Sequence, residues 1–486
     1  MSLIPKILVQ TSKNPQPAHV NQMWKERTDP SWKIEWFDDA GAIQYFKDNP
    51  IPELPNIVEV FNSFGTGCHK GDLFRYYYLY LNGGFYVDTD MMIHVHMNTL
   101  LFDEYDHILV LADIPLLWTA NFDEIVKPPY VFNALIGCVP KSKLIYDTLV
   151  DLYKAKPRLL AKYYNYTPWK LYVIYDRLKH NFNIKLFDEK QLDENPVVTH
   201  TVDTVGNRIA THYFRTKEIP IPERLDIEAV EVIVDFYTEF KIWIHNPDKD
   251  LYVSRCISLL KTWEPTITQV IYDSMKPGGI FVDIGANIGW HSKVVQSAGF
   301  DVIAFEPQLE NFELLTRNCK KEGSLLYNVG LGKQNELRRI EKDPNNYGNS
   351  FISENGEDVI SVVKLDDMID AETVKKVSSV KIDVQGFDTE VLKGGKNFFS
   401  NLNKGTTILL EVAPLSPTVD LDYILSFVYS QTDHYVFNIP WIDASFFEGK
   451  KITFLDALDV CRDPKAFGCD LEFDQCGPFF DMCIIV

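Results

Sequence analysis

The stretch Ile280-Phe-Val-Asp283-Ile-Gly285-Ala-Asn287-Ile-Gly289 decides the reading of the chain. An apolar run, a glycine-spaced turn and then a helical pattern predict a strand over 280–283 and a helix over about 287–298. Glycine removes the side chain where backbone must approach a ligand. The spacing differs from GxGxxG, so it does not predict a pyrophosphate cradle. Glu306 ends the next predicted strand, 23 residues beyond Asp283. An acid at that place can hydrogen-bond a ribose diol.

Outward from this turn, strands are predicted over 301–305, 325–329, 380–384 and 407–412, with a further helix over 311–319. Apolar strands alternating with helices predict a parallel sheet covered on both faces. Upstream, strand-like runs cover 230–234 and 240–244, and an amphipathic helix covers 266–275. The segment 217–226 contains Pro220 and Pro222, which favour extended backbone before them. The boundary is placed there, giving domains 1–222 and 223–486, and 486 residues suit two or three domains of ~100–200 residues each.

The first domain has its own informative block, Lys70-Gly-Asp72-Leu-Phe-Arg75-Tyr76 through Gly83-Gly84-Phe-Tyr86-Val-Asp88-Thr-Asp90. A helix is predicted over 69–81, stopped by the glycines, and strands over 6–10, 33–37, 85–88 and 92–95. Asp72, Arg75 and Tyr76 fall at i, i+3 and i+4 and share a helical face. Asp88 and Asp90 at a strand end can converge on a hard divalent cation, Mg²⁺ or Mn²⁺. Such a cation would neutralise a diphosphate leaving group. His212 is a candidate third ligand, and His94-x-His96 a weaker candidate pair on one strand face.

Together with Ile4-Pro-Lys-Ile7, this block resembles the DXD-containing glycosyltransferases of family 32, the capsular-polysaccharide type, with the large clostridial glucosylating toxins more distant. The resemblance implies a GT-A-like fold, a nucleotide-sugar donor and Mn²⁺ or Mg²⁺. It implies donor contacts from Gln10, Asp72, Arg75, Tyr86, Asp88 and Asp90, with Asp88 and Asp90 on the metal and His212 a candidate replacement for the missing closing ligand. The chain departs from the family at Val9-Gln10-Thr11-Ser12, where His-Gln-x-Trp is frequent, and lacks the closing His…Ser-Trp signature.

The second half resembles the FkbM-type S-adenosylmethionine-dependent methyltransferases. The matching pieces are Val282–Gly289, Ala304-Phe-Glu-Pro307, Asn311-Phe-Glu-Leu-Leu315, Leu365-Asp-Asp367, Val380-Lys-Ile-Asp-Val-Gln-Gly-Phe-Asp388 and Val391-Leu-Lys-Gly394. The resemblance implies a Rossmann-like domain that methylates a hydroxyl, often on a sugar. Asp283, Gly285, Asn287, Gly289 and Glu306 would hold S-adenosylmethionine. Gln385 stands where the family commonly has Glu. Asp383, at the carboxyl end of a central strand, is the expected general base, oriented by Lys381.

Lys and Arg total 48 against 68 Asp and Glu, a net charge of −20, which argues against nucleic acid and anionic membrane as partners. The eight cysteines include no CxxC pair, and no apolar run approaches the ~20 residues of a membrane span. The opening MSLIPKILVQ lacks the pattern of a signal peptide, so the cytoplasm of the producing or host cell is the expected compartment. The expectation is a bifunctional enzyme that transfers a sugar to a glycan acceptor and O-methylates a sugar hydroxyl. The alternative is a sugar methyltransferase with a non-catalytic glycan-binding first domain.

Overall fold

A computed structural model of the chain describes residues 3–112, 116–117, 125–126, 130–163, 165–192, 198–213, 219–220, 227–235, 238–432, 435–438, 454–463 and 478–486. The chain forms two compact units, Met1–Pro222 and Glu223–Val486. Apart from 219–220, the expected linker 217–226 lies outside the described residues.

The first unit is built on a nine-stranded mixed sheet. Its order is Lys33–Phe37, Ile7–Thr11, Gly84–Val87, Tyr130–Cys138, His107–Ala112, Ile184–Lys190, Thr199–Val202, Arg208–His212 and Met91–Ile93. The helix Gly67–Asn82 buries Leu73, Phe74, Tyr76, Tyr77 and Tyr78. These rings pack with Phe46 and Phe61, for example Phe46 edge-on to Tyr77 at 4.7 Å. Such pairs add about 0.5–1.5 kcal/mol beyond area burial. The helix stops at Gly83, whose φ is +66° and where a Cβ would lie 2.6 Å from Pro140 N. Only glycine fits that reversal. It feeds the chain straight into Gly84–Val87, which leaves Asp88 just past the strand end.

The second unit is a Rossmann-like, doubly wound α/β domain. Its seven-stranded sheet runs Leu325–Tyr327, Asp301–Phe305, Ile280–Ile284, Val377–Ile382, Thr407–Val412, Phe480–Ile485 and Tyr435–Asn438. The first five strands are parallel, and Phe480–Ile485 runs against both its neighbours. The order reverses between Ile280–Ile284 and Val377–Ile382, and doubly wound sheets bind ligands at the carboxyl ends beside such a reversal. The core joins strand residues such as Val282, Val380, Ile408 and Met482 with Leu392, Ile424 and Val428 from the covering helices. A four-stranded sheet, Gly330–Leu331, Asp358–Val363, Glu336–Glu341 and Phe351–Ile352, lies beside it in sequence, and the hairpin Ala229–Asp235/Glu239–His245 precedes it.

Three expected strands end two residues early: 92–95 is Met91–Ile93, 325–329 is Leu325–Tyr327 and 380–384 is Val377–Ile382, so Asp383 and Val384 stand in the turn after the last. Gln385 and Gly386 both have positive φ, +51° and +84°, and this reversal ends the strand. Among the described residues no helix is long and apolar enough to cross a membrane.

Candidate active sites

In the first unit the site forms where Gly67–Asn82, the end of Gly84–Val87 and the end of Arg208–His212 meet. Arg75 is its organising cation. Its Nη2 donates to Asp88 Oδ1 at 2.8 Å, and its Nη1 lies 3.6 Å from Asp72 Oδ1. It also donates to the Asn133 carbonyl. The guanidinium stacks 3.8 Å from the Tyr86 ring centroid. Burial opposes its charge, but Asp88, Tyr86 and Asp72 outweigh that and raise its pKa.

Asp88, Asp90 and His212 bring one oxygen or nitrogen each to within 4.8 Å of one another. Burial, helped by Asp90, holds the Asp88 carboxyl above its ordinary range despite Arg75. Burial also acts on Asp90, but the His212 ring, 3.4 Å away, holds it below that range. His212 itself is raised: burial works against its charge, and Asp90, Glu189 and Asp88 more than compensate. Two carboxylates and an imidazole at this spacing fit a divalent cation with a preference for oxygen.

Two of the expected donor residues bond within the protein. Gln10 is 2% exposed. Its amide nitrogen donates to Val87 O at 3.2 Å, and its oxygen accepts from Trp24 Nε1 at 2.9 Å. The amide is therefore used up in fixing the strand that carries Asp88. Tyr86 is buried, with its hydroxyl between Thr11 Oγ1 at 2.9 Å and Asp88 Oδ1 at 2.8 Å. Asp72 accepts from Asn133 Nδ2 at 2.9 Å. The sequence alone assigns Asn133 no role. His94 and His96 are not part of the ligand group. Burial pushes them down to about 4 and about 3. His94 bonds Thr211 Oγ1 at 2.7 Å.

In the second unit a cleft opens at the sheet reversal, lined by Gly285, Asn287, Glu306, Asp383, Gln385 and Phe387 among others. Gly285 has φ +82°, and a Cβ there would sit 1.8 Å from Asp383 O. The absent side chain lets the two strand ends meet under the cleft. Asn287 N donates to Glu306 Oε2, and Gln308 N to Oε1, both at 2.8 Å. Burial pushes the Glu306 carboxyl up to about 7, against these two bonds and with help from Asp283 and Asp383. Backbone cradle plus acid fits a nucleoside ribose.

Asp283 and Gly289 lie behind this cleft rather than in it. Asp283 is 1% exposed and accepts from Ser292 Oγ at 2.6 Å. A Cβ on Gly289 would meet Leu315 Cδ1 at 2.6 Å, so this glycine serves helix packing. At the other end, Lys381 Nζ donates to Asp383 Oδ2 at 2.6 Å and Gln385 Nε2 to Oδ1 at 2.7 Å. Burial acts on Asp383, but Lys381 and Gln385 prevail and lower its pKa. Asp383 also lines a second small cavity with Glu264, Lys381, Glu411 and Asp481. Burial, then Asp383, Asp481 and Glu264, hold Glu411 well above the ordinary carboxylate range. Glu264 and Asp481 carried no sequence signal, because only the fold assembles them.

The folds and sites describe an α/β chain with a glycosyltransferase-like first unit and a methyltransferase-like second one. Residues 15–106 match the family described as glycosyltransferase sugar-binding region containing DXD motif. Residues 283–435 match the family described as methyltransferase FkbM domain. Both resemblances read from the sequence are thereby found again. The chain is 26% identical over 182 residues to hexuronic acid methyltransferase AglP of Haloferax volcanii, covering 33% of this chain and 76% of that protein. Among solved structures, it is similar to an rRNA methylase from Streptococcus thermophilus, with 13% identity, a TM-score of 0.26, and coverage of 46% of this chain and 95% of the other. It is also similar to precorrin-6y C5,15-methyltransferase from Geobacter metallireducens, at 13% identity, TM-score 0.25, and 46% and 86% coverage.

Proposed function

We propose that the chain is a bifunctional glycan-building enzyme, in which residues 1–222 transfer a sugar from a nucleotide-sugar donor and residues 223–486 O-methylate a sugar hydroxyl. The observation that carries the methylation is the Lys381–Asp383 pair, placed where the cleft with the Glu306 cradle meets a second polar cavity; the cluster of Asp88, Asp90 and His212 carries the transfer. The match of this region to the methyltransferase FkbM domain and the similarity to a hexuronic acid methyltransferase support a sugar acceptor.

S-adenosylmethionine, when bound, supplies an electrophilic methyl group on a sulfonium. Glu306, with the Gly285–Asn287 turn, would hold the ribose of that cofactor. Lys381 and Gln385 keep Asp383 ionised and fix both its oxygens. Asp383 would accept the proton of the acceptor hydroxyl as the new O–CH₃ bond forms and the C–S bond breaks. A positioned base of this kind contributes about 10²–10⁴-fold. Glu411, with its raised proton affinity, would keep its proton and donate a hydrogen bond.

In the first unit, Asp88, Asp90 and His212 would hold a divalent cation, which would offset the charge of a departing diphosphate. Asp72 and Arg75, fixed by Asn133 and Tyr86, would orient the donor sugar. The test is full-length protein with a nucleotide-sugar panel and Mn²⁺, against the same protein in EDTA and against Asp88→Ala. Donor turnover should require both the metal and Asp88. Turnover unaffected by EDTA would overturn the assignment of the first unit.

A further inference from the structure

Glu189 has no part in the chemistry assigned so far, yet its setting is unusual. It sits near the end of the strand Ile184–Lys190 and is 3% exposed. Its Oε1 accepts from Thr199 Oγ1 at 2.7 Å. Its Oε2 is buried and has no hydrogen-bond partner among the described residues. A buried carboxylate oxygen left without a partner is costly, so one that persists calls for a reason. Burial pushes this carboxyl up to about 7, with Thr199 and His212 acting the other way.

The sheet register shows what Glu189 faces. It pairs across from Thr201, and Thr199 pairs across from His212. Cross-strand partners share a face, as do residues two apart on one strand. Glu189, Thr199, Thr201 and His212 therefore lie on one face of three adjacent strands, with Thr199 between the acid and the imidazole. On its other side His212 Nε2 lies 3.4 Å from Asp90. The sequence along the face is thus acid, imidazole, then the Asp-x-Asp carboxylates.

An imidazole that ligates a cation usually has a carboxylate behind it, which fixes the ring and strengthens its nitrogen as a donor. We infer that Glu189 is a positioning residue of the cation site, standing behind His212 and holding its ring toward a divalent cation bound by Asp88, Asp90 and His212. This rests on the cation site proposed above. It adds a fourth member that touches neither donor nor cation, and it explains why a lone acid is kept in the interior of the sheet.

The test is a Mn²⁺ titration of the full-length protein, followed by electron paramagnetic resonance of the free ion, for wild type, Glu189→Gln, His212→Ala and the double variant. Glutamine keeps the shape and the acceptor for Thr199 but removes the charge. Glu189→Gln should weaken Mn²⁺ binding by about 10–100-fold. Its melting temperature without metal should not fall, because an under-satisfied acid has been replaced. On the His212→Ala background Glu189→Gln should have no further effect, since Glu189 acts through that ring. Wild-type Mn²⁺ affinity in Glu189→Gln, or equal weakening on both backgrounds, would overturn the inference alone. If Glu189→Gln does not fold, Glu189→Asp, which keeps the charge on a shorter stem, should give an intermediate affinity, and unchanged affinity there overturns the inference too. Absence of Mn²⁺ binding by the wild type would overturn the cation site itself and this inference with it.

Discussion

Asp383 and Glu306 each follow directly on a strand of one sheet, yet their surroundings drive their proton affinities apart. Lys381 keeps Asp383 ionised, whereas burial pushes Glu306 up to about 7. Their variants should therefore fail differently. Glu306→Ala removes the acceptor for a ribose diol, and calorimetry should show S-adenosylmethionine affinity reduced by about 1–3 kcal/mol. Asp383→Asn should bind the cofactor normally but methylate about 10²–10⁴-fold more slowly in single turnover. A wild-type rate in Asp383→Asn would move the base elsewhere. In the first unit, Arg75→Met would leave Asp88 and Asp72 without their buried cation. Denaturant unfolding should show a loss of about 3–5 kcal/mol, the cost of removing one partner of a buried pair. Asp88, Asp90 and Glu306 stand out in the sequence because each sits beside a turn or strand end that spacing reveals. Gln10 could not be placed the same way, since its partners Trp24 and Val87 lie 14 and 77 residues away.

The turn after Ile280–Ile284 is where an element, rather than a side chain, sets the outcome. Gly285 combines a positive φ with a carbonyl oxygen 1.8 Å from where a Cβ would be. Gly285→Ala must push the Asp383 backbone away, so both cofactor binding and methyl transfer should collapse together, with a clear drop in melting temperature. Preserved binding in Gly285→Ala would mean the two strand ends need not touch. The helix Gly67–Asn82 and the parallel strands are legible because their apolar periods and glycine stops are local. The strand Phe480–Ile485 is not. It enters the sheet between Thr407–Val412 and Tyr435–Asn438, and its place depends on pairing across tens of residues. The expected strand before Asp383 runs two residues too far, to 384, because positive φ at Gln385, a non-glycine residue, is invisible to propensity.

Across the molecule, both units carry buried carboxyls whose proton affinity folding has raised. Glu189 in the first unit, and Glu306 and Asp388 in the second, are each pushed by burial up to about 7. A carboxyl raised on folding stabilises most below its unfolded pKa, and that contribution is lost as pH rises through the folded value. Melting temperature without ligands should thus fall between about pH 4.5 and 7, and Glu306→Gln should flatten part of that fall. Asp90 and Asp383 have lowered values, so their contribution is instead lost at acid pH, below the ordinary carboxylate range. Residues 1–222 and 223–486, each with its own core, should fold when expressed apart; an insoluble half would contradict their independence. One chain is expected both to add and to methylate a sugar. Mass spectrometry of a glycan acceptor incubated with the full-length protein, a nucleotide-sugar panel, Mn²⁺ and S-adenosylmethionine tests it most directly. The account predicts a product heavier by one sugar residue and one methyl group, with the sugar lost in Asp88→Ala and the methyl lost in Asp383→Asn. A methyl group added with no sugar from any donor would make the first unit a glycan-binding module, and contradict the account.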